Sequence, residues 1–354
     1  MNRPELTIII PTLNEESVLA QTLDKLGRQQ RISMEIIVVD GGSADATRHI
    51  ARESLQKPAV IETPAGRSRQ MNAGAVRATG EYLLFLHADS WFDHPMALRQ
   101  GIDQLRHATA HPTSLLTGGH FSLTFAGMES TRSLGYAFYQ RKARLNRPGC
   151  CHGDQGFLLP RSLFMQAGPF CEECDLLAQT RFADRLRHSG QWIRLTPEIT
   201  TSARRFEKEG MRERQTLNAV IMACGAAGRD EFLEKIPSLY RQQQESGRGS
   251  LQPCLRQVQA LVAALPVEER LTFWRRIGRY VVDNAWQTAL FLDIAAEFLQ
   301  KRDTTRGETR LLRLFDRYLY RLMDNRGGER CAEHLVRGWL RFMLLPSSPR
   351  NGTL

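Results

Sequence analysis

The chain has 354 residues, of which 42% are hydrophobic and 24% charged, a composition typical of a soluble protein with one large or two smaller domains. No stretch approaches about 18 uninterrupted apolar residues, which argues against a transmembrane helix. The net charge of +10 favours anionic partners such as nucleotide phosphates or an anionic membrane face. Because no zinc-finger spacing or RNA-binding signature accompanies it, we expect no nucleic-acid partner.

The amino terminus and the cysteines indicate the compartment. The sequence MNRPELTIII enters a strand almost at once, which leaves no room for a signal peptide. Seven cysteines, an odd number, fit reduced thiols better than a disulfide framework. We therefore expect a cytoplasmic protein, and peripheral contact with the inner face of the membrane stays open.

Strand and helix patterns alternate along roughly the first 100 residues. A helix opening at Asn14 is predicted to run to about residue 28, with acidic residues in its first turn. Continuous apolar runs predict four strands, at residues 6–10, 35–39, 59–62 and 82–86. This alternation predicts a parallel, doubly wound α/β sheet.

The rest of the chain divides into a mixed part and a helical part. Strands are predicted at 119–125, 156–159 and 192–195, and a helix at 176–190. The segment SGRGS at 246–250 is the best linker signal, since glycine and serine offer little side chain to pack. We expect a nucleotide-binding domain at 1–230, a linker at 231–250 and a basic helical domain at 251–354.

The predicted helical domain carries 17 Lys and Arg against 11 Asp and Glu, a balance of +6. Its helix at 308–324 places arginines on one face and apolar residues on another. The arginine face is either solvated or a surface for anionic lipid or a phosphate-bearing acceptor. The apolar positions are expected to be core: Leu311, Phe315, Tyr318 and Leu322.

Polar clusters follow three of the predicted strands, at residues 11–15, 40–45 and 87–89. Ligands of open α/β sheets bind outside the carboxyl ends of the strands, so these clusters predict one site. Asp40 is placed to accept hydrogen bonds from a base or ribose; the alternative is that it only caps the Asp-Gly-Gly turn. Asp45 is expected to cap a helix.

A second group of candidates binds phosphate and metal. Arg67, Arg69 and Asn72 lie in a glycine-led loop that enters a helix, an arrangement that suits a diphosphate, although an ordinary basic surface loop is equally consistent. Asp89 could hold Mg²⁺ or Mn²⁺ while substrate phosphates complete the coordination shell, or it could be a turn carboxylate. There is no Walker A loop, GxGxxG or GxSxG motif.

The cysteines suggest one further alternative. Cys171 and Cys174 form a CxxC, and Cys150-Cys151-His152 lies upstream. Zinc sites use such pieces, but this spacing differs from a standard zinc ribbon and a single CxxC is a weak signal. Incidental thiols are the simpler interpretation.

Several motifs follow one another in a fixed order: TIIIPTLNEE, EIIVVDGGSADAT, GRSRQMNAGAVRATGEYLLFLHADS, GDQGFLLPRSLF, AGPF and SARRFEKEG. In this order they resemble family 2 glycosyltransferases over about residues 5–230, and the HAD form resembles the bacterial selenodomain- or radical-SAM-associated subgroup. The resemblance implies a GT-A fold: a mixed, mainly parallel sheet flanked by helices, here with an α-helical domain after it.

The resemblance also implies an activity, the inverting transfer of a sugar from a nucleotide-diphosphate sugar to an acceptor hydroxyl. Its cofactor would be Mg²⁺ or Mn²⁺ held by a DxD-type motif, whose last aspartate matches Asp89 and whose first position is His87. Asp40 would contact base or ribose. The remaining nucleotide-site residues would be Pro11, Thr12, Asn14 and Glu15. The sequence leaves the sugar, the nucleotide and the acceptor open, including a lipid-linked acceptor.

One departure from the family concerns the general base. Family members usually carry a Glu-Asp pair before a helix, and this stretch reads LLAQTR at 176–181. A general base must be titratable, so the nearby carboxylates Glu172, Asp175 and Asp154 become the candidates. The alternatives are a nucleotide-sugar-binding scaffold without turnover, or a nucleotidyltransferase.

Overall fold

The computed structural model describes residues 3–110, 116–127, 133–235, 251–304 and 307–345. Its contacts divide the chain into two compact units. The first comprises Met1–Ala203 with Lys301–Arg306, and the second Arg204–Gln300 with Gly307–Leu354. This division falls earlier than the predicted boundary near residue 230. Of the predicted linker, residues 231–235 are helical and the remainder lies outside the described residues.

Eight strands form a single sheet within the described part of the first unit. They are β1 (Leu6–Thr12), β2 (Met34–Asp40), β3 (Ala59–Glu62), β4 (Tyr82–Phe85), β5 (Ser90–Trp91), β6 (Thr117–Phe125), β7 (Phe157–Pro160) and β8 (Gln191–Thr201). Their order is β3-β2-β1-β4-β7-β6-β8-β5.

The sheet is parallel in its first half and mixed in its second. Strands β3, β2, β1 and β4 pair in parallel, as the alternation predicts. Strand β7 then runs antiparallel to both β4 and β6, while β6 and β8 are parallel and β5 is antiparallel to β8. The predicted mixed, mainly parallel sheet with flanking helices is confirmed, and the simpler expectation of a doubly wound parallel sheet holds only for its first four strands.

The core explains why β1 and β4 are continuous apolar runs. Every residue of both strands is buried, and so are the last five residues of β2. Strands that bury both faces need cover from both sides, which is the reason they lack polar alternation. Seven α-helices are described in this unit: α1 (Leu19–Gly27), α2 (Thr47–Glu53), α3 (Arg67–Arg77), α4 (Ala97–Ala108), α5 (Leu134–Ala143), α6 (Arg161–Ala167) and α7 (Ala178–Ser189).

The first unit is not one continuous stretch of chain. Its carboxyl-terminal part, residues 301–304 among those described, returns after the second unit has begun. Thr304 is fully buried, and its carbonyl accepts a hydrogen bond from Arg141 Nη1 at 2.7 Å. Since Arg141 is itself only 4% exposed, this bond supports a guanidinium inside the unit.

The second unit is helical in its described part. Its longer helices are Met211–Ala226, Gln252–Ala264, Val267–Asn284, Trp286–Leu299 and Arg326–Met343. Shorter ones are Arg204–Glu209, Arg310–Leu314 and Tyr320–Met323. Within the ranges described, none of the helices combines the length and the apolar character needed to cross a bilayer.

The helix predicted at 308–324 contains a π-helical turn at Phe315–Leu319, so its apolar face differs from the predicted one. A π turn takes more residues than an α turn, so side chains after it leave the 3.6-residue register. Phe315 is buried as expected, together with Leu312. Tyr318 and Leu322, which lie within and after the turn, are instead 53% and 72% exposed. Leu311 precedes the turn and is 40% exposed, so the prediction that these three side chains belong to the core is wrong.

Candidate functional site

The loops after β1 and β2 are joined by reciprocal hydrogen bonds. Asn14 adopts φ of +56°, a left-handed conformation that asparagine tolerates better than most residues. Its N–H donates to Ser43 Oγ at 2.9 Å, and its Oδ1 accepts from the Ala44 N–H at 2.9 Å. Glu15 N–H donates to Thr47 Oγ1 at 2.7 Å. The predicted nucleotide residues Asn14 and Glu15 thus lie against the Asp40 turn.

The first helix begins later in the sequence than predicted. Helix α1 begins at Leu19 instead of Asn14, and its first turn contains no acidic residue. The left-handed Asn14 interrupts any helix that would start there. Residues Pro11 and Thr12, by contrast, belong to strand β1 and are buried, so they reach the site through the strand end.

Asp40 is the most enclosed of the candidate residues, with no exposed surface. Its Oδ1 accepts from the N–H groups of Gly42 and Ser43 at 3.0 and 2.8 Å, and its Oδ2 from Ser43 Oγ at 2.5 Å and Thr12 Oγ1 at 3.3 Å. The guanidinium of Arg48 lies 3.8 Å from Oδ1. The carboxylate therefore holds the turn in shape, as the turn-cap alternative predicts, and direct contact with a nucleotide remains a prediction.

Asp45 caps the neighbouring helix start. Its Oδ1 accepts from the N–H and hydroxyl of Thr47, at 3.0 and 2.5 Å, and its Oδ2 from the N–H of Glu16 at 3.2 Å. Desolvation raises the pKa of Asp45, but the hydrogen bonds acting together outweigh it, so the pKa lies below its usual value. The N-cap residue of α2 is Ala46, so the predicted N-cap at Asp45 is wrong by one position, although the Asp45 carboxylate does accept from the first N–H of the helix.

His87 and Asp89 lie where β4 ends, at the carboxyl edge of the parallel strands. The main chain here is fixed from two sides. Thr22 Oγ1 donates to the Ala88 carbonyl at 2.7 Å, and the Ser202 N–H donates to the Asp89 carbonyl at 3.0 Å. The His87 ring contacts α7, with Nε2 3.2 Å from Gln179 Oε1. An imidazole and a carboxylate two residues apart thus share a rigid strand end.

The amino terminus of α3, where a diphosphate is predicted, holds a carboxylate of the chain itself. Asp175 Oδ2 accepts from the Arg67 N–H at 3.1 Å, and its Oδ1 accepts from both the N–H and the hydroxyl of Ser68 at 2.7 Å. The first N–H groups of a helix lack partners within the helix and attract anions. Asp175 satisfies them from a loop 108 residues away in sequence.

Glu172 makes a second link between the same loop and α3. Its carboxylate accepts from Arg69 Nε at 3.1 Å and from Asn72 Nδ2 at 3.0 Å. Asn72 also exchanges hydrogen bonds with the main chain of Phe170, both at 2.9 Å. The residues predicted to bind diphosphate and two of those predicted to act as general base therefore bind one another. We call these contacts the α3 clamp.

Asp154, the third candidate base, lies apart from the α3 clamp, in the short 3₁₀ turn Gly153–Gln155 before β7. Strand β7 is antiparallel to β4, with Phe157 opposite Phe85, so this turn lies near the end of β4. A small cavity adjoins it, lined among others by Lys142, Cys150 and Asp154. Burial lowers the pKa of the Lys142 ammonium.

The cysteine cluster has the properties of buried core thiols. Cys150 and Cys151 are each 1% exposed, and burial raises the pKa of Cys150 to about 11. Across all the ranges that the structure describes, no group of three or more His, Cys, Asp or Glu side chains is arranged to hold a metal ion. The zinc alternative for Cys171, Cys174 and His152 therefore has no structural support.

Sequence reasoning missed the role of Gln179, which it treated only as a residue unable to take a proton. Gln179 is 8% exposed and contacts both His87 and the Gly153 turn. No local sequence pattern predicts the contact between Gln179 and His87, which lie 92 residues apart. The signal available was its place at the start of α7, where the family resemblance leads one to expect a carboxylate.

Fold and site together describe an α/β protein whose loops meet at the carboxyl edge of a mixed sheet. The family model for Glycosyl transferase family 2 matches residues 7–164. The PGL/p-HBAD biosynthesis glycosyltransferase of Mycobacterium tuberculosis is 33% identical over 188 residues, covering 51% of this chain and 69% of the relative. The glycosyltransferase GlyA of Streptococcus pneumoniae is 28% identical over 144 residues, covering 39% of this chain and 20% of the relative.

Among solved structures, the mannosyltransferase PcManGT from Pyrobaculum calidifontis, in complex with GDP-Man and Mn²⁺, aligns with a TM-score of 0.46 at 18% identity. The alignment covers 96% of this chain and 88% of that one. The sequence matches are the stronger finding. This chain belongs to glycosyltransferase family 2 and is a glycosyltransferase.

Proposed function

We propose that this protein transfers a sugar from a nucleotide-diphosphate sugar to an acceptor hydroxyl, with a divalent metal ion and with inversion at the anomeric carbon. The observation that carries the proposal is the meeting of the β1, β2 and β4 ends at one sheet edge. There the Asn14–Ser43 linkage shapes a nucleotide loop, and His87 and Asp89 stand on the adjacent strand. Ligands of open α/β sheets bind at such an edge.

The metal proposal concerns His87 and Asp89. One imidazole and one carboxylate form a donor set that suits Mn²⁺, and a carboxylate alone suits Mg²⁺. Two protein ligands leave coordination positions for diphosphate oxygens. The bound ion would stabilise the charge on the leaving diphosphate. The main-chain bonds at Ala88 and Asp89 hold both side chains on a fixed backbone, which reduces the reorganisation that metal binding requires.

The donor's phosphates define the second part of the proposal. Arg67, Arg69 and the amino terminus of α3 offer cationic and N–H groups to a diphosphate. In the α3 clamp, Glu172 binds the Arg69 guanidinium, and Asp175 binds the N–H groups of Arg67 and Ser68. A diphosphate that binds there would replace the carboxylates of Glu172 and Asp175. On this proposal the clamp opens when donor binds, and its two carboxylates are released only in the donor complex.

The general base follows from the same geometry. Gln179 stands at the start of α7 and cannot accept a proton, so one of the three neighbouring carboxylates does. Asp154 adjoins Gly153, whose backbone packs against Gln179 beside His87. Glu172 and Asp175 are bound to α3 while the clamp is closed, and they become available as bases once it opens. Because the proposed clamp is open in the donor complex, where transfer takes place, all three carboxylates remain candidates for the base.

The decisive experiment is a donor-hydrolysis and transfer screen over nucleotide sugars with Mn²⁺, run on the wild type and on Asp89→Ala. We expect turnover of at least one donor, and loss of metal-dependent nucleotide binding in the variant with an unchanged circular dichroism spectrum. Unchanged diphosphate affinity in Asp89→Ala would remove that residue from the site. Diphosphate binding without any turnover would favour a scaffold, and preference for triphosphates a nucleotidyltransferase.

We also propose that the protein acts at an anionic membrane surface, through a basic–apolar strip at residues 310–322. Five apolar side chains of the strip are exposed by 40–72%: Leu311, Leu314, Tyr318, Leu319 and Leu322. Four exposed arginines alternate with them: Arg310, Arg313, Arg317 and Arg321. Such a face inserts apolar side chains between lipid headgroups while its arginines contact the phosphates. A lipid-linked acceptor would be presented there.

Vesicle sedimentation tests the membrane proposal with the full chain. We expect binding to phosphatidylglycerol-containing vesicles that weakens as salt screens the charges, and little binding to pure phosphatidylcholine. The double variant Leu319→Ser with Leu322→Ser should bind less. Leu55→Ser, at a site 92% exposed in the first unit, is the matched control and should bind as wild type. Equal binding by the wild type and the double variant would refute the strip.

Two further proposals concern origin and compartment. The His87-Ala88-Asp89 form of the metal motif supports membership of the bacterial selenodomain- or radical-SAM-associated subgroup. All seven cysteines are free thiols, which supports a reducing, cytoplasmic location.

A further inference from the structure

Gln179 is a buried polar side chain that the proposed chemistry does not use. It lies in the first turn of α7, 8% exposed, with its amide oxygen 3.2 Å from Nε2 of His87. An amide oxygen can only accept a hydrogen bond, so the imidazole must donate through Nε2–H. The contact therefore selects one tautomer of the neutral ring, with the lone pair on Nδ1.

The orientation of this amide is fixed by its other neighbours. Gln179 Nε2 points to Met71 Sδ at 3.6 Å, and thioether sulfur is an acceptor. Reversing the amide would place its oxygen against the sulfur, so that two acceptors would face each other and the hydrogen bond to Met71 would be lost. On the third side is Gly153, where even a Cβ would lie 1.9 Å from Gln179 Oε1. Glycine at 153 is thus what leaves room for the amide.

We propose that Gln179 is a positioning residue for His87: it holds the imidazole as the Nε2–H tautomer and presents Nδ1 as the nitrogen ligand for the donor-site metal ion. Metal-ligating histidines commonly donate their second N–H to a fixed oxygen, which sets both the tautomer and the ring orientation. The inference rests on the proposed metal-dependent function. It gives the residue at the start of α7 a task in metal binding in place of proton transfer.

The assignment explains three residues together. His87, Gln179 and Gly153 come from a strand end, a helix start and a 3₁₀ turn, and each restricts the next. A smaller side chain at 179 would lose the ring contact, and a larger one at 153 would displace the amide. The positioning function therefore needs all three identities, whereas simple packing would not need an oxygen at 179.

The experiment is titration of the full chain with Mn²⁺ alone, with UDP and with GDP, followed by calorimetry and electron paramagnetic resonance. Gln179→Met keeps the length of the side chain and removes the oxygen. We expect about 10–100-fold weaker Mn²⁺ binding in this variant, the range found when such outer partners of a metal ligand are removed. A ¹⁴N coupling to Mn²⁺ should be present in the wild type, lost in His87→Ala and altered in Gln179→Met.

The matched control is Gln104→Met, on helix α4. It removes an amide oxygen that accepts a hydrogen bond from the Thr196 N–H at 2.9 Å. It should bind Mn²⁺ as wild type with the same coupling. Wild-type affinity and coupling in Gln179→Met would overturn the positioning role, and so would a wild type that binds Mn²⁺ without any ¹⁴N coupling. In both cases donor turnover could persist through Asp89, so failure of this inference is distinguishable from failure of the proposed function, which the absence of turnover would show.

Discussion

Removing the carboxylate of Asp175 should destabilise the first unit by an amount that its contacts allow us to state. Asp175→Ala takes an acceptor from the N–H groups of Arg67 and Ser68 and from the Ser68 hydroxyl. Ser68 is 1% exposed, so water cannot fully replace the lost acceptor there. Loss of a helix cap costs about 0.5–2 kcal/mol, and loss of a negative charge at a helix amino terminus about 0.3–1 kcal/mol. We expect about 1–3 kcal/mol.

Thermal unfolding is the assay, since each kcal/mol lowers the Tm by about 2–4 °C for a unit of this size. Glu172→Gln is the control on the same loop. Its partner Arg69 is 45% exposed, and exposed ion pairs contribute at most about 1 kcal/mol. The same Asp175→Ala protein should bind UDP or GDP more tightly, because the α3 terminus no longer holds a competing anion. A variant that melts with wild type would refute the capping argument, and unchanged diphosphate affinity would place the phosphates elsewhere.

Four further outcomes are expected. Asp40→Asn should weaken nucleotide binding both with and without Mn²⁺, because it weakens the hydrogen bond from Ser43 that holds the turn. In a calorimetric titration, a loss of affinity only in the presence of Mn²⁺ would contradict this. Gly153→Ala should cost about 1–3 kcal/mol in urea unfolding through overpacking against Gln179, and wild-type stability would show that the amide is free to move. Burial and neighbouring arginines lower the pKa of His120 to about 3. The unfolded chain therefore binds a proton that the folded protein does not, and the free energy of unfolding should rise with pH between about 3 and 6.5, by at most about 1.4 kcal/mol per pH unit. Denaturation of His120→Gln at several pH values should give a flatter profile. Asp293→Ala should destabilise the second unit by about 1–3 kcal/mol in the same urea assay, since its buried carboxylate accepts from two N–H groups of Leu311 and Leu312, and an unchanged midpoint would refute this.

The parts of the fold that sequence predicts are those fixed by local patterns. The four parallel strands lie where the sequence predicts them. For β1, β2 and β4 the reason is burial on both faces, which leaves a continuous apolar signature, whereas β3 at the edge of the sheet is only partly buried. The antiparallel insertion of β7 between β4 and β6 has no such signature, since strand order depends on pairing between distant segments. The prediction that Leu322 lies in the core is wrong because one π turn before it changes a periodicity that the sequence presents as regular, whereas Leu311 precedes that turn and its exposure is not explained by it.

For the site, the sequence indicates which residue types are present but not how they pair. Asp175 and Glu172 bind α3 across more than 100 residues, and no spacing rule predicts that two supposedly separate roles meet in one clamp. Asp40 shows the opposite case. Its turn chemistry is local, and the turn-cap alternative already described its contacts. The contact between Gln179 and His87 depends on the start of α7 lying beside the residues that follow β4, a placement that only the assembled structure shows.

The return of residues 301–304 to the first unit decides how this protein can be divided for study. A fragment that ends at 230 or 250 retains the whole sheet but loses Thr304, and with it the carbonyl that Arg141 contacts from the interior. The guanidinium would then remain buried without that acceptor, at a cost of about 1–3 kcal/mol or more for a charged group. A truncated protein that fails to transfer sugar would thus report damage to its own core as readily as the loss of a membrane or acceptor contact. Point substitutions in the full-length chain separate these two causes.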